Sequence, residues 1–180
     1  MPSRGFTLIE TVIVLSIFAV ASIVIGSIYI SHSKFYTLES AAADIKTQKS
    51  IFTRNFKETA ESANSIMASY IFNSVARASS SSTAVVKLPA IDAGGNIIAD
   101  KFDYAAFYRE DKKIYLETSA DAASARKNLK RLIADAAQSL VFRYDAALPQ
   151  DANMVGASLY LKSGVAEEKI DISVRLRNKQ

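Results

Sequence analysis

Residues 12–25 read VIVLSIFAVASIVI, and the longer stretch from Thr11 to Ser33 holds no Asp, Glu, Lys or Arg. At about 1.5 Å per residue, a helix of this length spans a hydrocarbon core of roughly 30 Å. A cleaved secretory signal peptide is the alternative, but its apolar core typically has about 7 to 15 residues and ends at a small-x-small site. Here the run is longer, and the cleavage-like segment Ala19-Val20-Ala21 lies in its middle. The sequence therefore predicts one transmembrane helix.

An acidic residue, Glu10, precedes this run within an apolar stretch that begins at Gly5. A carboxylate within a bilayer costs on the order of 2.5 to 3.5 kcal/mol even on an insertion scale, so it needs a partner. In an isolated chain, Glu10 at the level of the lipid headgroups is solvated and lies favourably near a helix N-terminus. That interpretation leaves unexplained the short basic segment, residues 1–4, and the cleavage-like Gly5-Phe6 that follows it.

Residues 4–10 read RGFTLIE, and the apolar run follows them directly. This pattern resembles the class III signal of type IV pilins and type II secretion pseudopilins. The signal is specific, because it needs Gly, an aromatic residue and Glu at fixed offsets from a spanning helix. The resemblance covers residues 4–30.

The resemblance implies a processing route and an assembly contact. A prepilin peptidase of the inner membrane would cleave the Gly5–Phe6 bond and methylate the new amino terminus of Phe6. Residues 1–5 would then be the leader peptide, and residues 6–33 the transmembrane and assembly helix. Glu10 would be the assembly acid, which lies against the Phe6 amine of a neighbouring subunit. The head would lie outside the cytoplasm, first on the inner membrane and then on a pilus or pseudopilus fibre.

The apolar helix differs from that of many major pilins in one respect. Those proteins carry a Pro about two-thirds along the helix, whereas this chain has Gly26 and Ser27 in that region. Any local melting of the helix in a fibre would then depend on Gly26.

The helical pattern continues after the membrane segment, because apolar residues recur at spacings of three and four, or sums of them. These are Leu38, Ala42, Ile45, Phe52, Phe56, Ala63, Met67, Tyr70, Ile71 and Val75. The pattern predicts that residues 34–78 continue the helix and that the serine run Ser79–Thr83 ends it. A solitary coiled coil remains possible, but a helix that packs along a sheet is favoured.

Residues 79–180 are predicted to form a β-rich head. Residues 85–88 form a short β-rich segment, and residues 102–109 and 114–118 indicate a hairpin. Further strands are predicted at 141–144, 155–161 and 170–176, the last of which alternates strictly between apolar and polar residues. The basic segment 126–133 is either a short helix or a loop that leads into a strand. The fold class is therefore α+β, with the long helix packed on an antiparallel sheet.

The composition excludes several kinds of catalytic and metal site. The 180-residue chain has no Cys and a single His, His32, which falls at the exit of the predicted membrane helix. This excludes disulfides, zinc-thiolate sites, iron–sulfur clusters, a Ser-His-Asp triad and a two-His metal site within one chain. The loop at Asp92 offers few oxygens for calcium and is interpreted as a turn, although Asp111, Glu117 and Asp121 could join it in three dimensions. We therefore predict a protein that is not an enzyme and has no cofactor and no metal.

A basic run with four cations lies in the head: Arg126, Lys127, Lys130 and Arg131. Such runs are commonly solvated surface charge. The functional alternative is a DNA-binding patch, with stacking from Phe107, Tyr108 and Tyr115 if they lie nearby. The net charge of +4 and the pI near 9.2 are weak support for such a partner.

Two functions from different classes follow. The first is a structural subunit, a minor pilin or pseudopilin, whose partners are the prepilin peptidase, other pilin subunits and the inner membrane. The absent helix Pro and the lack of a cysteine pair favour a minor subunit, and the segments 140–145 and 174–178 resemble those of minor pilins and J-type minor pseudopilins. The second is a fibre-displayed subunit that binds DNA for uptake or adheres to a surface.

Overall fold

The computed structural model describes residues 7–176, which form one long helix followed by β-strands. The chain divides between Ser40 and Ala41 into two compact units. The elements are α1 (Leu8–Glu61), β1 (Ser65–Ile66), β2 (Ser69–Phe72), β3 (Val75–Ala78), β4 (Thr83–Ile91), β5 (Ile97–Glu110), β6 (Lys113–Ser119), β7 (Leu129–Ala134), β8 (Ala137–Tyr144), a 3-10 turn (Pro149–Asp151), β9 (Met154–Ser163) and β10 (Ala166–Arg175).

The first unit is the apolar part of α1, where every described side chain up to Ser40 is exposed. By length and composition, α1 is able to cross a membrane, as predicted. Serine hydroxyls within the run bond to the helix backbone. The Ser16 Oγ donates to the Val12 carbonyl and the Ser22 Oγ to the Phe18 carbonyl, both at 2.8 Å. Because these bonds satisfy the hydroxyl groups, they lower the cost of serines in an apolar solvent.

The second unit packs α1 against sheets, so the interpretation as a helix on a sheet is confirmed and the solitary coiled coil is excluded. Strands pair in the orders β1-β4-β5-β6-β7, β10-β9-β8 and β2-β3, all antiparallel. Ile45, Phe52 and Phe56 of α1 are at most 1% exposed. The Phe56 ring lies 5.4 Å from Phe107 of β5 and 5.9 Å from Phe142 of β8. One apolar core therefore joins α1 to both larger sheets.

The prediction that the helix extends to residue 78 is wrong, because α1 ends at Glu61. Residues 65–78 instead form β1 and the hairpin of β2 and β3. The turn residues Asn73 and Ser74 have φ values of 46° and 69°, which is the backbone of a type I′ hairpin turn. The helical spacing of Tyr70, Ile71 and Val75 is not used, because Ile71 and Val75 are exposed and Phe72 is buried instead. The serine run consequently connects β3 to β4 and does not end the helix.

The strands predicted in the head are confirmed. The hairpin at 102–118 is the β5–β6 pair, and the strict alternation at 170–176 belongs to β10, where Ile170 and Val174 are buried. The basic segment forms a loop and then β7, so the second of the two interpretations is correct. The sheet order places β7 at the edge of the five-stranded sheet.

The five-stranded sheet has two unlike faces. Its inner face, which includes Val86, Leu88 and Phe107, packs on α1. Its outer face, which includes Val85 and Tyr108, packs on the β2–β3 hairpin.

Candidate functional site

The start of α1 positions the predicted assembly acid. The backbone nitrogen and the hydroxyl of Thr7 each donate to Oε2 of Glu10 at 3.1 Å, and the Glu10 nitrogen donates back to the Thr7 hydroxyl at 3.3 Å. This reciprocal pair is a capping box, the sequence Thr-x-x-Glu at a helix start. Gly5 and Phe6, the predicted cleavage and methylation residues, lie outside the described residues.

Glu10 is exposed and retains capacity for a further partner. A carboxylate offers about four acceptor positions, so the donors of Thr7 do not saturate it. The capping box fixes the carboxylate at the helix N-terminus, where the backbone dipole favours negative charge. This arrangement is able to accept a cationic group from another molecule without a change in the helix.

The basic run is divided among separate contacts. Arg126 donates from Nη1 to Oδ2 of Asp103 at 2.7 Å and to the Pro89 carbonyl at 2.5 Å. Asp103 is fully buried and also accepts from the Ser124 hydroxyl at 2.7 Å. Since a buried carboxylate needs such partners, Arg126 belongs to the packing of the loop before β7.

Two further cations of the run lie on opposite faces of β7. Lys130 on the outer face pairs with Glu110 at 3.1 Å and lies 4.4 Å from the centre of the Tyr115 ring. Arg131 on the inner face donates to the Asn55 side chain of α1. Lys127 is exposed in the preceding loop. The four predicted residues therefore do not form one cationic surface.

The expected stacking residues are also divided. Phe107 belongs to the inner core and is 1% exposed, while Tyr108 is 1% exposed under the hairpin. Only Tyr115 is partly exposed, beside Lys130. Charged residues on an edge strand discourage pairing with other chains, so Lys130 and Arg131 on β7 protect that edge of the sheet.

A polar cluster around the buried Glu117, not anticipated from the sequence, fixes the hairpin to the outer face. We call it the hairpin clasp (Asn73, Arg77, Tyr108, Glu110 and Glu117). Glu117 is 4% exposed. It accepts from Asn73 Nδ2 at 3.0 Å, Arg77 Nε at 3.2 Å and the Tyr108 hydroxyl at 2.9 Å. Arg77 also stacks on the Tyr108 ring at 3.3 Å and pairs with Glu110 at 3.0 Å. The Asn73-Ser74 pair, a turn dipeptide, was the available sequence signal for this hairpin.

The clasp shifts the pKa values of its members in directions that support these bonds. Burial is the largest cause that raises the pKa of Tyr108, so its hydroxyl remains a donor to Glu117. Partial desolvation opposes ionisation of Glu110, but hydrogen bonds from Arg77 and Lys130 prevail and lower its pKa.

Within residues 7–176, no group of three or more His, Cys, Asp or Glu residues could hold a metal ion. The Asp92 loop forms a turn, as interpreted from the sequence. The Asp92 Oδ1 accepts from the backbone nitrogens of Gly94 and Asn96, both at 2.8 Å. The bond from the Asn96 backbone is the largest cause that lowers the pKa of Asp92. The Asp92 carboxylate thus stabilises the turn in which it lies.

Comparison with known families identifies the N-terminal segment. Residues 1–27 match the family model described as the prokaryotic N-terminal methylation motif. The predicted class III prepilin signal is thereby confirmed. No curated protein matches the chain.

Proposed function

We propose that this protein is a structural subunit of a type IV pilus or a type II secretion pseudopilus. The observation that carries the proposal is the prepilin-type signal, which continues into a helix able to cross a membrane. The same helix packs from Ile45 onward on the sheets of the head. A chain of this kind provides a helix for the fibre axis and a head for its surface.

Proteolytic processing supplies the cationic group that pairs with Glu10. Cleavage of the Gly5–Phe6 bond by a prepilin peptidase leaves a charged amine on Phe6, which is then methylated. In a fibre, the Phe6 amine of one subunit lies against Glu10 of its neighbour. Two unit charges about 4 Å apart gain roughly 4 kcal/mol at an effective dielectric near 20, and an unpaired charge in the same place is costly. The contact therefore sets the register between subunits.

The sequence favours a minor subunit, and we propose that it has no catalysis of its own. The apolar helix lacks Pro, and the chain lacks the cysteine pair of many major pilins. The subunit would cross the inner membrane once, with its head outside the cytoplasm, before it enters the fibre.

The test combines processing with incorporation. Intact mass and N-terminal sequencing of protein from membranes and from sheared fibres should show a chain that begins at N-methylated Phe6. Glu10→Ala should be processed normally, but its amount in the sheared fraction should fall at least tenfold, because the register contact is lost. Glu39→Ala is the matched control, since Glu39 is an exposed acid of the same helix outside the apolar run.

Two results would contradict the proposal. One is an unprocessed chain that stays in membranes. The other is equal recovery of Glu10→Ala and wild-type protein in sheared fibres, which would show that Glu10 contributes nothing to assembly.

A further inference from the structure

A cavity of about 380 Å³ lies on the three-stranded sheet. Arg143 of β8, Gly156 of β9 and Ser173 of β10 form one row across the strands, and Ser158 of β9 and Asp171 of β10 are paired in another. Paired residues share a face of a sheet, and the alternate residues of these strands pack into the core, so the five face outward. Sites for small ligands have volumes of roughly 300 to 1,000 Å³, and this cavity falls within that range.

The glycine at the centre of the cavity is not required by the fold. The φ angle of Gly156 is not positive, and its pairing with both neighbouring strands shows no bulge. A Cβ atom built at Gly156 would lie 3.5 Å from the Ile172 carbonyl oxygen and 3.8 Å from the Arg143 Cβ, which are ordinary contact distances. A glycine inside a strand weakens the strand and often marks the close approach of a ligand or of another backbone. The missing side chain therefore leaves space for another molecule on the outward face.

Two opposite charges flank this space. Arg143 and Asp171 belong to the two outer strands of the sheet, which are about 10 Å apart. The Ser158 hydroxyl donates to the Asp171 carboxylate. This hydrogen bond is the largest cause that lowers the pKa of Asp171, and the positive charges of Lys169 and Arg143 lower it further. The cavity therefore offers an ionised acceptor on one side and a guanidinium donor on the other.

This arrangement favours a neutral ligand that carries hydroxyl groups. An anion between the two side chains is repelled by Asp171, and a cation is repelled by Arg143. An apolar ligand would displace water from both charges without replacing its hydrogen bonds. A hydroxyl group both donates and accepts, so neighbouring hydroxyls of one sugar ring are able to accept from Arg143 and donate to Asp171. The C–H side of such a ring would lie on the Gly156 backbone and on the side chain of Met154, which also lines the cavity.

We propose that this cavity binds a neutral saccharide, with Arg143 and Asp171 bonding its hydroxyl groups and Gly156 lying beneath its ring. The site goes beyond the proposed function, because it requires neither processing at Gly5 nor contact with another subunit. It is therefore tested on the isolated protein, whatever the outcome of the fibre experiments.

The first experiment measures binding by the full-length protein in micelles of a detergent that has no sugar headgroup, because a maltoside detergent would compete. The probes are neutral oligosaccharides of glucose, galactose, mannose and N-acetylglucosamine on an array, and each one that binds is then titrated in solution by calorimetry. We expect binding of at least one of these probes. Binding to none of them would overturn the proposal, and so would binding only to anionic saccharides or to extended peptides on the same array.

The second experiment places the bound saccharide in the cavity. Gly156→Val fills the floor and Asp171→Asn removes the ionised acceptor, so each should weaken binding at least about tenfold, the loss expected for one charge-assisted hydrogen bond. Glu167→Gln is the matched control, since Glu167 is an exposed acid of the same strand that does not line the cavity. Its affinity should equal that of the wild type. Unchanged affinity in a folded Gly156→Val variant would refute the site.

The reasoning about Gly156 has a separate test. Gly156→Ala should melt at the same temperature as the wild type or higher, because the added Cβ has room and alanine loses less conformational freedom on folding. A lower melting temperature would show that the fold itself requires the glycine, and the argument for a ligand at this position would fail.

Discussion

Replacement of the central acid of the hairpin clasp, Glu117→Ala, should destabilise the head by about 3 to 5 kcal/mol, the cost of breaking a buried ion pair. The estimate follows from three bonds. The carboxylate accepts from Asn73, Arg77 and Tyr108 at 3.0, 3.2 and 2.9 Å. Charge-assisted bonds contribute about 1.5 to 3 kcal/mol each, but desolvation of the buried carboxylate offsets several kcal/mol of that sum. The variant also leaves the buried Tyr108 hydroxyl without its acceptor.

The assay is urea unfolding of the full-length protein in detergent micelles. The chain has 8 Tyr and no Trp, so tyrosine emission follows the unfolding of the head. Glu110→Ala is the matched control, because Glu110 contacts the same Arg77 from an exposed position and should cost about 1 kcal/mol or less. A change of less than about 1 kcal/mol for Glu117→Ala would refute the reasoning, since an intact clasp would then be unnecessary for hairpin packing.

Two further predictions concern Tyr144 and the turn of the β2–β3 hairpin. Burial raises the pKa of Tyr144 to about 12, whereas an unfolded tyrosine ionises near pH 10. Stability should therefore be complete below pH 10 and decline by about 1 to 2 kcal/mol as the pH rises to 12, and Tyr144→Phe should remove that decline in urea unfolding measured against pH. Ser74→Gly should stabilise the head by about 0.5 kcal/mol, because φ is 69° there, whereas Asn73→Gly should destabilise it through loss of the Glu117 bond. Thermal unfolding distinguishes the two, and a lower melting temperature for Ser74→Gly would contradict the turn assignment.

The parts of the fold that the sequence predicted correctly have unambiguous periodicity. The apolar run and the stripe through Phe52 and Phe56 have only a helical interpretation, and the alternation at 170–176 has only a strand interpretation. The segment 62–78 is different, because the residues in helical spacing at 67, 70, 71 and 75 do not share a buried face: Ile71 and Val75 are exposed, whereas Phe72 is buried. A turn without Gly or Pro decides between helix and strand, and turns of this type depend on φ values that a spacing pattern does not encode.

Among the predicted site residues, the N-terminal signal was readable from the sequence, whereas the contacts of the basic run were not. The signal at residues 4–10 is contiguous, so its identity was readable from the sequence and the methylation-motif match confirms it. The basic run was also contiguous, yet its members do not act together. Adjacent residues of a strand point to opposite faces, and the partners of Arg131 and Lys130 lie 76 and 20 positions away in the chain. Contacts of that separation follow from the sheet order, which the sequence alone did not supply.

The contacts of the basic run bear on the DNA-binding function that the sequence left open. In the basic run, Arg126, Lys130 and Arg131 already have acceptors within the chain, and their position at an edge strand protects that edge. A nucleic acid would have to compete with those contacts, and it would lose the release of counterions that drives such binding. The contacts within the run therefore count against a DNA-binding patch there, and the prepilin signal indicates the structural role.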